Sequence, residues 1–571
     1  MFNCKSYIYV HLLKCSLILA LMFFAAGAHS QEAETAQTVT DTVAEASIVQ
    51  SYQIAAVNYD IKGLIRQYPL SQAVPIDTVR IFDSEEALQR YINDLEQRFK
   101  NIRVIQSVRI DTKYGDSDSS AIIPVTLSIS ITNTWNFIAV PYPSFDSNSG
   151  FQVKLKLQDF NFLGTLQPLK ADVVYRSTET GQNIFSSSIN FALPFKAGIF
   201  NMLWDTGFQI VYAYKEAPKI NIATGLGASV KLHKRLSLTF GLSPELIIND
   251  RSSSQMSISP TNKLLANSDN QDSASPIPPQ EDERTPDDTA EHTKETTRPS
   301  GLGFLYPSDR YYFKTTFYVR APVMITEVNR FGSLFWTPSM SLSGNWAFDG
   351  IQADELKKWT FNWGHTLTLS KVNWEVNFRK GLSVSFGNTY AYQFYHKRKM
   401  DIGFTASVTG YYPFINRIGI YGRMQFFYQL FGNTTTQAGA ALRGILNKRI
   451  DTDTAFTFNL DIPIRLVSLD FQTITGVTWT RFLNCDIQLI PFLDIALTHD
   501  KKTGRYYHPA DGWYAGGMEV IVYPERMRSI YVRASLGFDL TELKHLSGLK
   551  GWAKRDGEAI TEIFIGIGVH Y

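Results

Sequence analysis

Few residues in this chain are spaced for chemistry. His233, His292, His365, His396, His499, His508, His545 and His570 show no metal-ligand spacing. His499 and His508 lie near Asp494 and Asp500 but fit a wet loop better than a reaction centre. No phosphate-binding glycine loop and no nucleophile motif occurs. The expectation is a protein that is not an enzyme, with no catalytic residue, no metal and no cofactor. The side chain with the clearest demand on its surroundings is Asp494. Within Asn484 to Thr498 it shares one strand face with Asp486 and Gln488, while Cys485, Ile487, Leu489, Leu493, Ile495 and Leu497 take the other. An enclosed carboxylate there wants a cation, and a guanidinium meets it with two parallel hydrogen bonds.

The element that must hold such a residue is a strand with one apolar and one watery face, and the chain repeats that pattern to its end. Ala559 to Tyr571 alternates Thr561, Ile563, Ile565, Ile567, Val569 and Tyr571 against Glu562, Phe564, Gly566, Gly568 and His570. Phe151, Val153, Leu155 and Leu157 alternate with Gln152, Lys154, Lys156 and Gln158. Phe456, Phe458, Leu460, Ile462, Ile464 and Leu466 are set against Thr457, Asn459, Asp461, Pro463 and Arg465. Charge on the second face suits a watery lumen, not a packed core. About sixteen such segments run from Gly150 to Tyr571, an even number being normal for bacterial single-chain barrels.

The bulk numbers agree. Residues 1–30 have the form of a secretory signal: Lys5 and Lys14, an apolar core from Cys15 to Ala26, then small residues, with cleavage after Ala28 or Ser30. The core is too short for an uncleaved spanning anchor, and no later window is long and apolar enough for a transmembrane helix. Aromatic residues make up 13% of the chain, including 28 Tyr and 10 Trp, which suits a barrel flanked by amphipathic rings. Removing the signal leaves Cys485 as the one cysteine, so no intramolecular disulfide is expected. The formal charge of +2 falls to about zero without the two signal lysines, so nothing argues for nucleic acid.

Three further segments stand out. Residues 31–50 are small, polar and acidic and fit a flexible tether. Residues 51–134 fit a compact α+β unit: a strand from Tyr52 to Gly63, a helix with Asp83 as cap, Glu86 as capping-box partner and Leu88, Tyr91, Ile92, Leu95 and Phe99 as its apolar stripe, then strands Arg103 to Tyr114 and Ile123 to Thr132. Residues 249–300 are rich in Ser, Pro, Thr, Asp and Glu and are expected to be disordered, as a tolerated insertion or as a tail for a basic partner. The strand count sets this loop between the sixth and seventh strands, on the periplasmic side, although long barrel loops usually face outward.

Several of these residues carry a resemblance. The order strand, two helical pieces, two strands in residues 51–134 resembles a single POTRA domain, and Asn101 to Asp111 resembles the passage into its middle strand. Gly150 to Thr165 resembles the first barrel strand and first loop of BamA/TamA-type outer-membrane assembly proteins. The loop motif is Asn161, Phe162, Leu163, Gly164, Thr165, with Leu166 where a second glycine is common. Leu442-Arg443-Gly444-Ile445 resembles the family's Arg-Gly pair on a loop that folds into the lumen, with Ile445 for the usual aromatic residue. Phe492-Leu493-Asp494-Ile495-Ala496 resembles the strand motif whose acid meets that arginine, with Ala496 for glycine.

The resemblance implies an all-β transmembrane protein: a 16-stranded antiparallel outer-membrane β-barrel over 150–571, preceded by one POTRA domain in the periplasm. Arg443, Gly444, Phe492 and Asp494 would lock the lumen loop. A lateral seam would lie between Phe151, Val153 and Leu155 on the first strand and Ile565, Gly566, Gly568 and Tyr571 on the last. Gly566 and Gly568 either weaken that closure or make room for a bulky lumen neighbour. The expected partners are outer-membrane lipids, unfolded outer-membrane or secreted polypeptides, and other assembly-machine subunits. The implied role is polypeptide insertion or translocation; a dedicated two-partner-secretion transporter and a passive pore are the alternatives.

Overall fold

The computed structural model describes most of residues 51–567; residues 1–50, 250–310, 350–358, 541–553, 568–571 and several short turns lie outside the described residues. The expected signal, tether and most of the 249–300 loop therefore fall outside them.

Residues 51–134 form a small sheet with two helices on it. β1 (Ser51–Lys62) runs parallel to β4 (Ile122–Asn133), which pairs antiparallel with β3 (Ile105–Tyr114); the two-residue β2 (Ile81–Phe82) joins the far edge of β1. Parallel pairing needs a crossover, and α1 (Gln67–Ala73) and α2 (Glu85–Asn101) lie in it. Leu88, Ile92, Leu95 and Phe99 of α2 bury against Val125, Leu127, Ile129 and Ile131 of β4, so helical and strand periods meet in one core. The α2 cap is Ser84 rather than Asp83: the Ser84 hydroxyl accepts from the Ala87 amide at 3.2 Å. Two adjacent residues could each have capped, and sequence alone does not choose between them.

Residues 137–567 form a closed antiparallel barrel. Its twenty strand segments make eighteen strands among the described residues, because two strands are each broken once. Tyr311–Arg320 and Val323–Val328 share both neighbours across Pro322, as do Thr454–Asp461 and Ile464–Leu469 across Pro463. This corrects the expected sixteen. The barrel starts at Phe137, not Gly150, with a first strand over Phe137–Asp146 whose Pro141 and Pro143 hide its alternation. Phe151, Val153 and Leu155 belong to the second strand, facing outward. The strand before residue 249 is the seventh, Leu236–Ile248, not the sixth, and it ends at the end of the barrel opposite the small domain.

The outer wall is apolar and exposed: Trp204, Phe240, Phe317, Trp346, Trp363 and Phe386 are all more than a third accessible. Leaving one such side chain in water forfeits about 1.5–3 kcal/mol. A whole wall of them is stable only in an apolar medium, and a closed barrel has no unpaired edge to expose there. Among the described residues no helix is long and apolar enough to cross a membrane.

The small domain lies across one mouth of the barrel, touching turns spread round the ring. At the turn after the second strand the Arg66 amide donates to the Gly164 carbonyl at 2.8 Å. Tyr68 on α1 donates to the Phe195 carbonyl at 3.1 Å, by the turn after the fourth. Beyond the tenth strand (Trp359–Glu375), Arg103 donates to the Val376 carbonyl at 3.0 Å and its guanidinium lies 4.3 Å from the centre of the Trp374 ring. Thr134 reaches the Arg526 carbonyl after the sixteenth. The α2 contact is tied by Lys371 to Asp94 at 2.9 Å. Burial pushes the Asp94 carboxyl up, but Lys371 and Arg98 outweigh it and hold it below its ordinary value of 3.8. A depressed carboxylate stabilises its ionised, bound form above the ordinary value and loses that contribution as pH falls through the lower, docked value. Asp94→Asn should therefore raise amide exchange in the Trp374–Asn377 turn by about two- to fivefold at neutral pH, the scale of a partly exposed ion pair. The native protein should lose the same protection only below about pH 4.

Candidate functional site

The site is a loop folded into the lumen between the thirteenth strand (Ile418–Phe431) and the fourteenth (Thr454–Leu469). Its anchor is Arg443, which is 4% exposed, and its first partner is Asp494, which is fully buried. The Arg443 side chain donates to both Asp494 carboxylate oxygens, from Nε at 3.0 Å and from Nη2 at 2.8 Å, and its backbone amide adds a third bond at 2.8 Å. Arg443 Nη2 also meets Asp461 at 2.6 Å, and the guanidinium lies 3.8 Å from the centre of the Phe492 ring. A planar fork between two carboxylates, set over an aromatic ring, is a task lysine cannot perform.

Gly444 explains why glycine follows the arginine. Its φ is +108°, and a Cβ there would stand 2.5 Å from the Phe538 amide nitrogen. The wall answers with its own glycine: a Cβ on Gly537, in the seventeenth strand (Val532–Asp539), would stand 2.6 Å from Arg443 C and Gly444 N. Loop and wall thus pack backbone on backbone. The Gly444 amide then donates to Glu562 on the last strand at 2.7 Å. Ile445 and Ala496, the two departures from the resembled motifs, are both fully buried in one apolar cluster with Leu442, Ile450 and Ala515. A smaller loop side chain thus shares its cluster with a wall residue larger than glycine.

Sequence reasoning brought Arg443, Gly444, Phe492 and Asp494 together, and the structure does the same. It missed Asp461, Glu519, Glu562, Arg449, Arg533 and Asp539. Arg533 approaches Glu519 at 3.4 Å and covers the Phe564 ring at 4.1 Å, while Arg449 approaches Asp539 at 3.4 Å. All but Arg449 lie on the watery face of their strands, so alternation was the available signal. The loop grips five consecutive strands, the fourteenth to the eighteenth, including the one that closes the barrel.

Among the described residues that closure is short. The last strand (Thr561–Ile567) pairs with the first through two residue pairs among the described residues, Phe564 with Asp146 and Ile565 with Phe145. The first strand is laddered to the second through ten. Pro141 and Pro143 lack amide donors, and residues two apart bond toward the same side. With the ladder to the second strand complete, the missing donors fall on the seam. Ile565 faces outward, as expected, whereas Gly566 makes room: a Cβ there would stand 2.6 Å from the Phe564 ring. Gly568 and Tyr571 lie outside the described residues.

The expected first-loop motif is a turn against the small domain. Asn161 accepts from the Leu166 amide at 2.9 Å, Gly164 has φ +76°, and Leu163 and Leu166 have φ +53° and +57°. Leu166 therefore adopts a conformation that favours glycine, and its side chain joins the small-domain core.

No family model matches the chain, and no curated protein matches it in sequence. BamA and CdiB are among its structural neighbours. CdiB from Acinetobacter baumannii aligns over 90% of this chain and 74% of its own, at 10% identity and a TM-score of 0.45. CdiB from Escherichia coli aligns over 90% and 76%, at 11% identity and 0.43. BamA from Haemophilus ducreyi lacking POTRA domains 1–3 aligns over 90% and 84%, at 10% identity and 0.36.

Proposed function

We propose that this chain is an outer-membrane barrel that inserts or translocates other polypeptides, with the small domain in the periplasm as their receiver. The observation that carries the reading is the contrast around the last strand. Arg443 and Gly444 fix the lumen side of the wall through Asp494, Asp461 and Glu562, while among the described residues the neighbouring seam is held by two residue pairs. A wall that is rigid on one side of a joint and weak at the joint opens there and nowhere else. Among the described residues β3 of the small domain pairs only with β4, which leaves a strand edge for an extended client. The protein acts by binding and guiding, with no bond chemistry of its own. A loop anchored inside the lumen and a small domain set against the turns at one mouth support this reading over a passive pore.

Depletion of the protein followed by quantitative proteomics of the outer membrane tests the role. A broad fall in other barrel proteins is the expected result. Loss of one secreted protein would make it a dedicated transporter, and an unchanged outer membrane would overturn both.

A further inference from the structure

Residues 470–484, between the fourteenth and fifteenth strands, form a tied frame that holds apolar side chains outward. Asp470 caps the short helix Phe471–Thr475, accepting from the Gln472 and Thr473 amides at 3.1 and 3.3 Å. The Thr475 and Thr480 hydroxyls bond at 2.8 Å, and Asn484 donates to Asp470 at 3.1 Å. On this frame Ile474 and Trp479 are each 65% exposed, and Phe482 and Leu483 about half exposed. The lumen loop uses none of them. A fixed apolar patch in water is costly, and its rigidity rules out relief by folding away.

The surroundings say what covers it. The patch stands at the small-domain end of the barrel: the Arg526 guanidinium, 4.4 Å from the centre of the Phe482 ring, belongs to the turn that Thr134 contacts. It continues without a break into the outer wall through the exposed Leu466 and Val467 of the fourteenth strand. Exposed Arg481 lies within it, and exposed Arg417 sits at the adjacent turn, its carbonyl accepting from the Arg465 amide. Apolar and indole groups beside guanidinium groups, at the end of an apolar wall, match the boundary between acyl chains and phosphate headgroups.

We propose that residues 470–484 are an interfacial foot. Ile474, Trp479 and Phe482 enter the acyl boundary of the periplasmic leaflet and Arg481 meets its phosphates. The foot steadies the fourteenth and fifteenth strands, which carry Asp461 and Asp494, and leaves movement to the seam. This inference rests on the membrane-spanning reading of the barrel.

The test uses the full chain and its Trp479→Phe variant in phosphatidylethanolamine–phosphatidylglycerol vesicles, with and without bromine on the upper acyl carbons. The difference between the two emission spectra isolates Trp479. It is expected to lose about half its intensity or more in brominated lipid and to resist aqueous acrylamide, as an indole at the membrane interface would. Quenching by acrylamide alone would put Trp479 in water, and quenching by neither would put it under protein; both overturn the foot. The variant keeps Trp204, Trp336, Trp346 and Trp363 on the wall. If these respond to brominated lipid and Trp479 does not, the foot alone fails; if they too are indifferent, the membrane reading fails with it.

Discussion

Arg443→Ala is expected to destabilise the folded barrel by about 3–5 kcal/mol, because it leaves buried carboxylates facing each other without their cation. Asp494 and Asp461 are 0% and 6% exposed, so water cannot replace the guanidinium without opening the wall. Arg443→Lys should recover only part of the loss, since a point charge cannot bond both Asp494 oxygens and reach Asp461 as well. Pairing Arg443→Gln with Asp494→Asn should cost clearly less than the sum of the single changes, the signature of residues that act as one unit. The measurement is the temperature at which the compact form converts to the unfolded band on an unheated gel. Additive single and double changes would mean that the two residues stabilise the barrel independently.

Gly537→Ala is the second large effect. The new methyl would stand 2.6 Å from two backbone atoms of the loop, and backbone cannot rotate aside. The loop must lift, which strains the bond from Gly444 to Glu562 and loosens the Arg443 clamp; a loss of about 1–3 kcal/mol is expected. Lifting should also open Arg443 and Arg449 to trypsin in the folded protein. Gly422→Ala is the control, because nothing lies within 4 Å of a Cβ there, and it should be neutral on both readouts. Equal behaviour of the two variants would mean that loop and wall do not press together.

Both effects depend on features that sequence exposes unevenly. Asp494 was legible because alternation over Asn484 to Thr498 put it on the watery face, and the resemblance of Arg443-Gly444 named its partner. Glu562 was on that face too, but nothing in a single strand says which lumen residue a distant loop will reach. Gly537 is a lone glycine in a strand, and its meaning appears only when Gly444 arrives opposite it. The first barrel strand escaped notice because Pro141 and Pro143 interrupt its donors. The same prolines that hid the strand weaken the seam, so what was hardest to read is closest to the proposed function. The missed strand accounts for one of the two by which eighteen exceeds the expected sixteen, while the five strands after the Arg443 loop stood as counted.

The measurement closest to the central claim is a reversible lock across the seam. Phe145→Cys and Ile565→Cys are register partners on the first and last strands. In cells that depend on this variant, oxidation should stop delivery of new outer-membrane or secreted polypeptides, and reductant should restore it. Each single-cysteine variant should be indifferent to oxidant. A cross-linked barrel that sustains normal delivery would contradict the account, because it would show that polypeptides do not pass through this joint.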